Sequence, residues 1–261
     1  MPAKVQPWKS DSPSERLPRI LRPATLTRFP ELICGLSTRI GGISPAPYGM
    51  NTSFHVNDSP DNVTENRRLF LGALGVAPDR LAIPQQRHTA VIRKAHVPGT
   101  YPECDALLTN VPGIYLSVSV ADCAPAFLFD PVKRVIGCVH AGWRGTAQSI
   151  VRHAVEEMQK EYGTNVKDVI AFIGPSAGPC CYEIGEEVTK EFDPQFVQRR
   201  DGKTYLDIPR ANAAQLEEAG IPQSSIGIQG DCTICNSDTY HSFRRDGGQS
   251  GRMMGIIGMK E

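Results

Sequence analysis

Long apolar segments are absent from this sequence. No hydrophobic run in its 261 residues approaches the roughly 20 residues that a membrane-spanning helix needs. The N-terminal stretch 1–19 also lacks the apolar core and the small-residue cleavage site of a secretory signal. We therefore expect a soluble, cytoplasmic protein with no membrane partner.

A surplus of charge of one sign is absent as well. Lysine and arginine together number 28, and so do aspartate and glutamate, which leaves a formal net charge of zero. This balance provides no general attraction to nucleic acid, and we expect no nucleic-acid partner. The sequence carries no signal for a particular oligomeric state.

Cysteine is too sparse for a disulfide scaffold. The chain has eight cysteines, several of them within apolar runs, so reduced thiols or metal ligands are the better expectation. Hydrophobic residues make up 40% of the sequence, and a chain of this length can bury a large core. The composition therefore allows a folded protein of enzyme size.

The hydrophobic periodicity indicates the domain organisation. Residues 1–30 are rich in proline and charge and predict an irregular N-terminal arm, whereas residues 31–261 read as one catalytic domain. The segment 59–75 predicts a helix, and the alternation in 114–121 predicts a strand. Hairpins mixed with helices predict an α+β fold, a single domain of stacked mixed β-sheets flanked by helices.

A hairpin brings two reactive residues into view. The apolar runs on either side of Asp130-Pro131-Val132-Lys133 predict two antiparallel strands joined by a type I turn. If the turn is centred on those four residues, Cys123 lies directly across from His140, and facing residues have Cβ atoms about 4.5 to 5.5 Å apart. A thiolate and an imidazole at that separation can share a proton or a metal ion.

A third donor completes a candidate metal site. His88 also lies just before a predicted strand, and two imidazoles with one thiolate suit zinc while leaving a fourth position open. Cys138, on the same strand face as His140, would close a purely structural site. The alternative is that His140 and Cys123 are packing residues. The neighbouring Gly142, Trp143 and Arg144 favour a functional site.

Four other cysteines are harder to place. Cys232 and Cys235 have the spacing of half a zinc site or a redox pair, but no second pair with that spacing follows. Cys180 and Cys181 are adjacent in the sequence, too close-set for an ordinary chelating pair. We interpret all four as buried thiols.

Several sequence motifs, including those that contain these residues, resemble the motifs of a known family. This is the laccase-domain or multicopper polyphenol oxidase family, whose bacterial members are also described as purine nucleoside phosphorylases. The motifs that carry the resemblance are STRIGGISPAPYGMN (37–51), QQRH (85–88), CDALLT (104–109), ADCAP (121–125), HAGWRGT (140–146), GPSAGPCCYEIG (174–185) and SFRRDGGQSGRM (242–253). They extend through nearly the whole chain from about residue 32. The combination of HAGWRGT, ADCAP and an upstream glutamine-histidine motif is specific to the family.

The resemblance implies an α+β fold of stacked mixed sheets and a zinc site with His88, Cys123 and His140 as ligands. It further implies phosphorolysis of adenosine, inosine and methylthioadenosine, with a purine nucleoside and phosphate as small-molecule partners. Adenosine deamination is implied as a side activity. For that reaction zinc is a suitable Lewis acid, and His140 or Asp122 could manage the proton.

Phosphorolysis also needs an anion site. The candidates are the arginines of the motifs, Arg39, Arg144, Arg244 and Arg245, which otherwise are solvated surface charges. Asn51 and Asp105 are expected among the residues that bind substrate or phosphate and help shape the site.

Three other functions stay open. Cys123 as nucleophile and His140 as base would suit a Cys-His amidase that edits serine-containing peptidoglycan precursors. A copper-dependent polyphenol oxidase is less favoured, because six histidines, with His96 and His153 lacking nearby partners, leave room for at most one mononuclear copper. A non-enzymatic metal-binding regulatory module would have a closed site with a fourth protein ligand.

Overall fold

A computed structural model describes residues 16–261. Within these residues, fifteen strands form three sheets. The first sheet has the strand order β1-β2-β15-β7-β3-β5. Its strands are β1 (Ile20–Leu21), β2 (Leu32–Ser37), β3 (Leu81–Pro84), β5 (Gly99–Tyr101), β7 (Tyr115–Val120) and β15 (Met253–Met259).

The second six-stranded sheet has the order β14-β10-β8-β9-β6-β4, and a small third sheet has the order β11-β13-β12. The strands of the second sheet are β4 (Ile92–Lys94), β6 (Ala106–Thr109), β8 (Ala124–Asp130), β9 (Val135–Ala141), β10 (Ile170–Ile173) and β14 (Ile226–Ile228). Those of the third are β11 (Glu183–Ile184), β12 (Val197–Arg200) and β13 (Lys203–Leu206). Both large sheets contain parallel and antiparallel pairs, so the predicted α+β fold with mixed sheets is confirmed.

Seven α-helices accompany the sheets among the described residues. They are α1 (Ala24–Thr27), α2 (Pro60–Leu74), α3 (Trp143–Ala147), α4 (Ile150–Tyr162), α5 (Glu186–Thr189), α6 (Ile208–Glu218) and α7 (Phe243–Asp246). In the part of the chain from residue 16 onward, no helix combines the length and the apolar character that crossing a bilayer requires.

The buried side chains define four layers. One cluster lies between the two large sheets and includes Leu116 and Ile257 from the first and Phe127 from the second. A second cluster packs α4 and α6 against the outer face of the second sheet, and a third packs α2 against the outer face of the first. Because both large sheets are covered on both faces, the strands read as nearly continuous apolar runs.

Helix boundaries follow the sequence signals closely. The predicted helix over 59–75 is confirmed as α2, with Pro60 at its first position and Gly75 in a left-handed conformation (φ 71°) after its end. The helical pattern after Gly142 is interrupted at Ser149, whose φ of 58° separates α3 from α4. Sequence periodicity alone does not reveal this break.

The hairpin of β8 and β9 differs from its predicted register by two residues. Asp130 pairs with Val135, so His140 faces Pro125, and Cys123 lies just before the first paired residue of β8. The loop is longer than predicted because Asp130 accepts hydrogen bonds from the backbone N–H of Val132 and Lys133, and a left-handed residue follows before pairing begins. A two-residue slip leaves every side chain on its predicted face.

The predicted irregular arm over 1–30 also needs correction. Between residues 16 and 30 the chain forms β1, in which Ile20 pairs with Ser37 of β2, and α1, in which Leu26 is fully buried. Edge pairing and one buried leucine order this segment despite its prolines. Residues 1–15 lie outside the described part of the chain.

Candidate metal centre

Three side chains from separate parts of the chain meet at one end of the two large sheets. His88 follows β3, Cys123 lies between β7 and β8, and His140 is on β9. Their donor atoms all lie within 4.8 Å of one another. The structure therefore brings together the three donors that the sequence indicated.

Asp105 supports this group from behind. One of its oxygens accepts from the backbone N–H of His88 at 2.9 Å and lies 2.8 Å from Nδ1 of His140. The other accepts from the backbone N–H of Arg87 and Thr89 and from the Thr89 hydroxyl. Since a carboxylate only accepts, His140 must donate through Nδ1, which leaves Nε2 on the side of the ring away from Asp105.

This role differs from the one predicted for Asp105. The side chain is fully buried, and both oxygens are occupied by protein donors. These hydrogen bonds, chiefly the one with His140, outweigh the effect of burial and hold the pKa of Asp105 well below its usual value. Asp105 shapes the site by positioning His88 and His140 rather than by facing a substrate.

The backbone around the centre is adapted to close packing. His88 has a φ of 60°, an uncommon conformation for a residue with a side chain, and the three N–H donors directed at Asp105 stabilise this turn. A Cβ at Gly142 would lie 2.8 Å from Sγ of Cys123 and 3.2 Å from the His88 ring. Glycine is therefore required at position 142 for the donors to approach each other.

The electrostatics favour an ionised sulfur. Burial alone would raise the pKa of Cys123, but the charges and hydrogen bonds of His140 and His88 outweigh it and lower the pKa to about 6. Burial alone would lower the pKa of His140, but Cys123 and Asp105 raise it to about 9. An anionic sulfur beside imidazole nitrogens can bind a divalent cation or act as a nucleophile.

The donor set fits a metal with one position left for a ligand. Two imidazoles and one thiolate are the donors that zinc accepts, and Cys123 and His88 reach the surface, whereas His140 is buried. Cys138 is outside this group: it is buried between the two large sheets, opposite Phe127. The fourth protein ligand that a closed site would need is thus not supplied by Cys138.

Asp122 has another task besides its predicted catalytic one. Its two oxygens accept from the hydroxyl of Thr233 and from the backbone N–H of Arg244, each at 2.6 Å. Its backbone is left-handed, with a φ of 87°, and its carbonyl accepts from Ala177. Asp122, which directly precedes Cys123, therefore joins the loops of Thr233 and Arg244 to the segment that carries Cys123.

The predicted anion-binding arginines divide into two groups. Arg39 and Arg245 are engaged with backbone carbonyls, Arg39 with those of Ser237 and Pro47 and Arg245 with three in the 233–240 loop. Arg144 lies over the Trp143 ring and Arg244 over the Tyr182 ring. Arg244 also donates through Nη1 to the carbonyl of Glu183. The guanidinium of Arg144 and the other nitrogens of Arg244 have N–H groups to offer to an anion.

Asn51 is not one of the donors of the centre and has hydrogen-bond partners elsewhere. It is fully buried and exchanges hydrogen bonds with Ser53, Asp58 and the backbone of Arg252. It holds the 51–58 loop against the start of β15.

Two residues near the centre escaped the sequence analysis. Burial, and to a lesser extent the charge of Cys123, raises the pKa of the Tyr182 hydroxyl to about 12. Arg244 and Arg144 are also close enough to influence this pKa. Arg252 is largely buried near Asp122 and Cys123. Both lie within motifs that carried the family resemblance, and that position was the only available signal, since nothing in local periodicity marks them.

The prediction for Cys180, Cys181, Cys232 and Cys235 also needs correction. They were interpreted as buried thiols, but their sulfur atoms lie together, and Cys180 and Cys235 are exposed. The interpretation failed because the partners are more than 50 residues apart in the sequence.

Fold and site together define a mixed α+β domain with one His₂Cys centre between loops. Sequence comparison gives the same class a name: the model of the multi-copper polyphenol oxidoreductase laccase family matches residues 33–260, and the chain belongs to that family.

Named relatives are similar over most of their length. A purine nucleoside phosphorylase of Deinococcus radiodurans is 39% identical over 241 residues, 90% of this chain and 92% of the relative. A purine nucleoside phosphorylase of Bacteroides thetaiotaomicron is 33% identical over 92% of this chain and 96% of its own. The crystal structure of YlmD from Geobacillus stearothermophilus superposes with a TM-score of 0.85 at 34% identity, covering 89% of this chain and 93% of that one.

Proposed function

We propose that this protein is a zinc-dependent purine nucleoside phosphorylase whose reaction takes place at His88, Cys123 and His140. The observation that carries the proposal is the convergence of these three donors, one of them oriented by Asp105, at a partly exposed position. Similarity to several proteins named purine nucleoside phosphorylase supports the choice of reaction. The substrates we propose are adenosine, inosine and methylthioadenosine, with phosphate as the second substrate.

The metal would be held by Nε2 of His140, an imidazole nitrogen of His88 and the sulfur of Cys123. A zinc ion bound there would supply a Lewis acid that polarises an electron-rich atom of the substrate. Asp105 keeps one proton of His140 on Nδ1, so that Nε2 is the nitrogen that would give up its proton and bind the ion.

Phosphate would be bound by Arg144 and Arg244. Both guanidinium groups lie near Tyr182, which in turn lies near Cys123. Asp122 fixes the backbone of Arg244 and thereby sets the position of that side chain relative to the centre. Phosphate held between two guanidinium groups would be positioned to attack the ribose carbon as positive charge develops on the sugar.

We propose deamination of adenosine as a side activity of the same centre. A Lewis acid at this partly exposed position also suits the attack of water at C6 of adenine.

The family description refers to copper, but among the described residues the only other group of three or more metal donors contains four cysteines and no histidine. Copper at the His₂Cys centre, with polyphenol oxidation, is therefore the less favoured proposal. A cytoplasmic location also stays a prediction.

A second candidate function rests on the same atoms. The Cys123 sulfur lies within 4.8 Å of a ring nitrogen of His140, and His140 is hydrogen-bonded to Asp105, which is the order of groups that activates a sulfur nucleophile. The pKa of the sulfur is lowered and that of the imidazole is raised. This arrangement favours an amidase acting on serine-containing peptidoglycan precursors. The two functions exclude each other at one active site, because a thiolate bound to zinc is not free to attack a carbonyl.

Metal analysis followed by product chromatography tests the proposal. The purified protein is incubated with adenosine in the presence and absence of phosphate. Adenine and ribose 1-phosphate, formed only with phosphate and only by zinc-containing protein, are expected. Inosine alone would assign deamination as the main activity. No nucleoside product, together with cleavage of a serine-containing muramyl peptide by zinc-free protein, would replace the proposal with the amidase.

Cys123→Ala and Cys138→Ala form a matched pair for the same assay. Both remove one thiol, but only Cys123 belongs to the donor group. Cys123→Ala is expected to lose both turnover and the zinc of this centre, and Cys138→Ala to keep both. Retention of zinc and activity by Cys123→Ala would refute the proposed centre.

A further inference from the structure

Four cysteines meet where two loops come together outside the centre described above. Cys180 and Cys181 lie between β10 and β11, and Cys232 and Cys235 lie between β14 and α7. Their sulfur atoms all lie within 4.8 Å of one another. Cys235 is 3.2 Å from the sulfur of Cys180 and 2.9 Å from that of Cys181.

The backbone around Cys232 is arranged to receive negative charge. The N–H of Gly178 donates to its sulfur at 3.3 Å. An amide donor at a sulfur stabilises a thiolate. A Cys-x-x-Cys turn, as in 232–235, is the usual spacing of paired zinc ligands.

The charge balance of the loops also suits bound thiolates. Arg245 donates to the carbonyls of Thr233 and Ile234, which lie between the two cysteines of the Cys-x-x-Cys turn. Arg200 donates to the carbonyl of Cys180 on the opposite loop. A cation of charge +2 with four thiolates leaves a net charge of about −2. The Arg200 guanidinium offsets part of this charge, whereas Arg245 is already paired with Asp246.

We propose that Cys180, Cys181, Cys232 and Cys235 form a second, four-thiolate zinc site that joins these two loops. Around zinc, sulfur atoms about 2.3 Å from the metal would lie about 3.8 Å apart, a separation that small side-chain movements would produce from the present arrangement. A disulfide accounts less well for the grouping, since Cys235 is near two sulfurs and can bond covalently to only one.

The site has a consequence for the wall of the active centre. Thr233, between Cys232 and Cys235, donates its hydroxyl to Asp122, and Asp122 precedes Cys123. Tyr182 directly follows Cys181. A metal that holds both loops would therefore fix the positions of Tyr182 and Asp122, although it would not contact a substrate.

The test is a count of metal ions on the full-length protein, by elemental analysis and native mass spectrometry, and does not depend on any activity. We expect two zinc ions per chain in the wild type and one in each of Cys232→Ser and Cys123→Ala. With cobalt in place of zinc, Cys123→Ala should show the intense sulfur-to-metal charge-transfer absorption of a tetrahedral four-thiolate site. Cys232→Ser should show the weaker absorption of a one-thiolate site.

Two further variants keep the result interpretable. Cys34→Ala removes a thiol that belongs to neither group and should retain both ions. Cys235→Ser alters an exposed side chain and should give the same loss as Cys232→Ser even if the latter folds poorly. The proposal is overturned if the wild type binds a single zinc that Cys123→Ala abolishes and both serine variants retain. The proposal is also overturned if the metal-free chain is lighter than expected by the two hydrogen atoms lost in a disulfide and regains them on reduction.

Discussion

The substitution Asp105→Asn tests whether the metal centre depends on its buried support. It preserves the size of the side chain but replaces one accepting oxygen by an NH₂ group. If the nitrogen takes the position nearest Thr89, it faces the N–H groups of Arg87 and Thr89. If it takes the other position, it faces the N–H of His88 and Nδ1 of His140, and the imidazole then protonates at Nε2.

The magnitude follows from counting these contacts. In the first orientation two partly buried N–H groups lose their acceptor, at about 1 kcal/mol each, the lower end of the cost for a buried donor, so we expect the free energy of unfolding to fall by about 2 kcal/mol. In the second orientation His140 loses its donor tautomer, and loss of such a partner weakens metal binding about 10- to 100-fold. Stability should therefore fall in either orientation, because the second removes the acceptor of the His88 N–H, and zinc affinity should fall as well in the second.

Zinc affinity is measured by competition with a chromophoric chelator, and stability by urea unfolding of the metal-free protein. Thr89→Val is the matched control: it removes the hydroxyl that donates to Asp105 and accepts from the exposed N–H of Val91, and it keeps the carboxylate and its N–H donors. It should lower zinc affinity by less than about threefold. If Asp105→Asn binds zinc as tightly as the wild type and unfolds at the same urea concentration, the carboxylate does not support the centre.

Three further predictions concern other parts of the molecule. Gly142→Ala should weaken zinc binding at least about tenfold in chelator competition, because its Cβ would press on Cys123. The control is Gly72→Ala on α2, which should leave zinc binding unchanged and raise the free energy of unfolding by about 0.5 to 1 kcal/mol. Arg244→Ala should raise the KM for phosphate about 10-fold or more in initial-rate assays, and unchanged phosphate kinetics would remove Arg244 from the anion site. His241 is fully buried, and both of its ring nitrogens lack hydrogen-bond partners. Burial lowers its pKa to about 3 in the folded protein. Only the unfolded chain therefore binds a proton at this residue as the pH falls below about 6.5. The wild type should therefore lose about 1.4 kcal/mol more stability than His241→Leu between pH 7.5 and 5.5 in urea unfolding, and equal losses would contradict the buried neutral state.

Local sequence patterns predicted the elements well where side-chain period and capping residues agree. The helix over 59–75 and the strand over 114–121 were found because proline, glycine and strict alternation limit the backbone to one structure. The hairpin register was wrong by two residues because the Asp130 side chain lengthens the loop. Cys123 and His140 still came together, since a slip of two residues preserves the face.

The sequence by itself determined the class of fold, the family and the three donors of the metal centre, because these depend on periodicity and on short motifs. Only the tertiary structure decided the roles of Asp105 and Asp122, which the sequence placed toward the substrate and the reaction and which accept hydrogen bonds from surrounding loops. Only the fold could bring Cys180 near Cys235, more than 50 residues away. The physical reason is that a side chain's charge and partners are set by the segments packed around it, and sequence spacing does not report which segments those are.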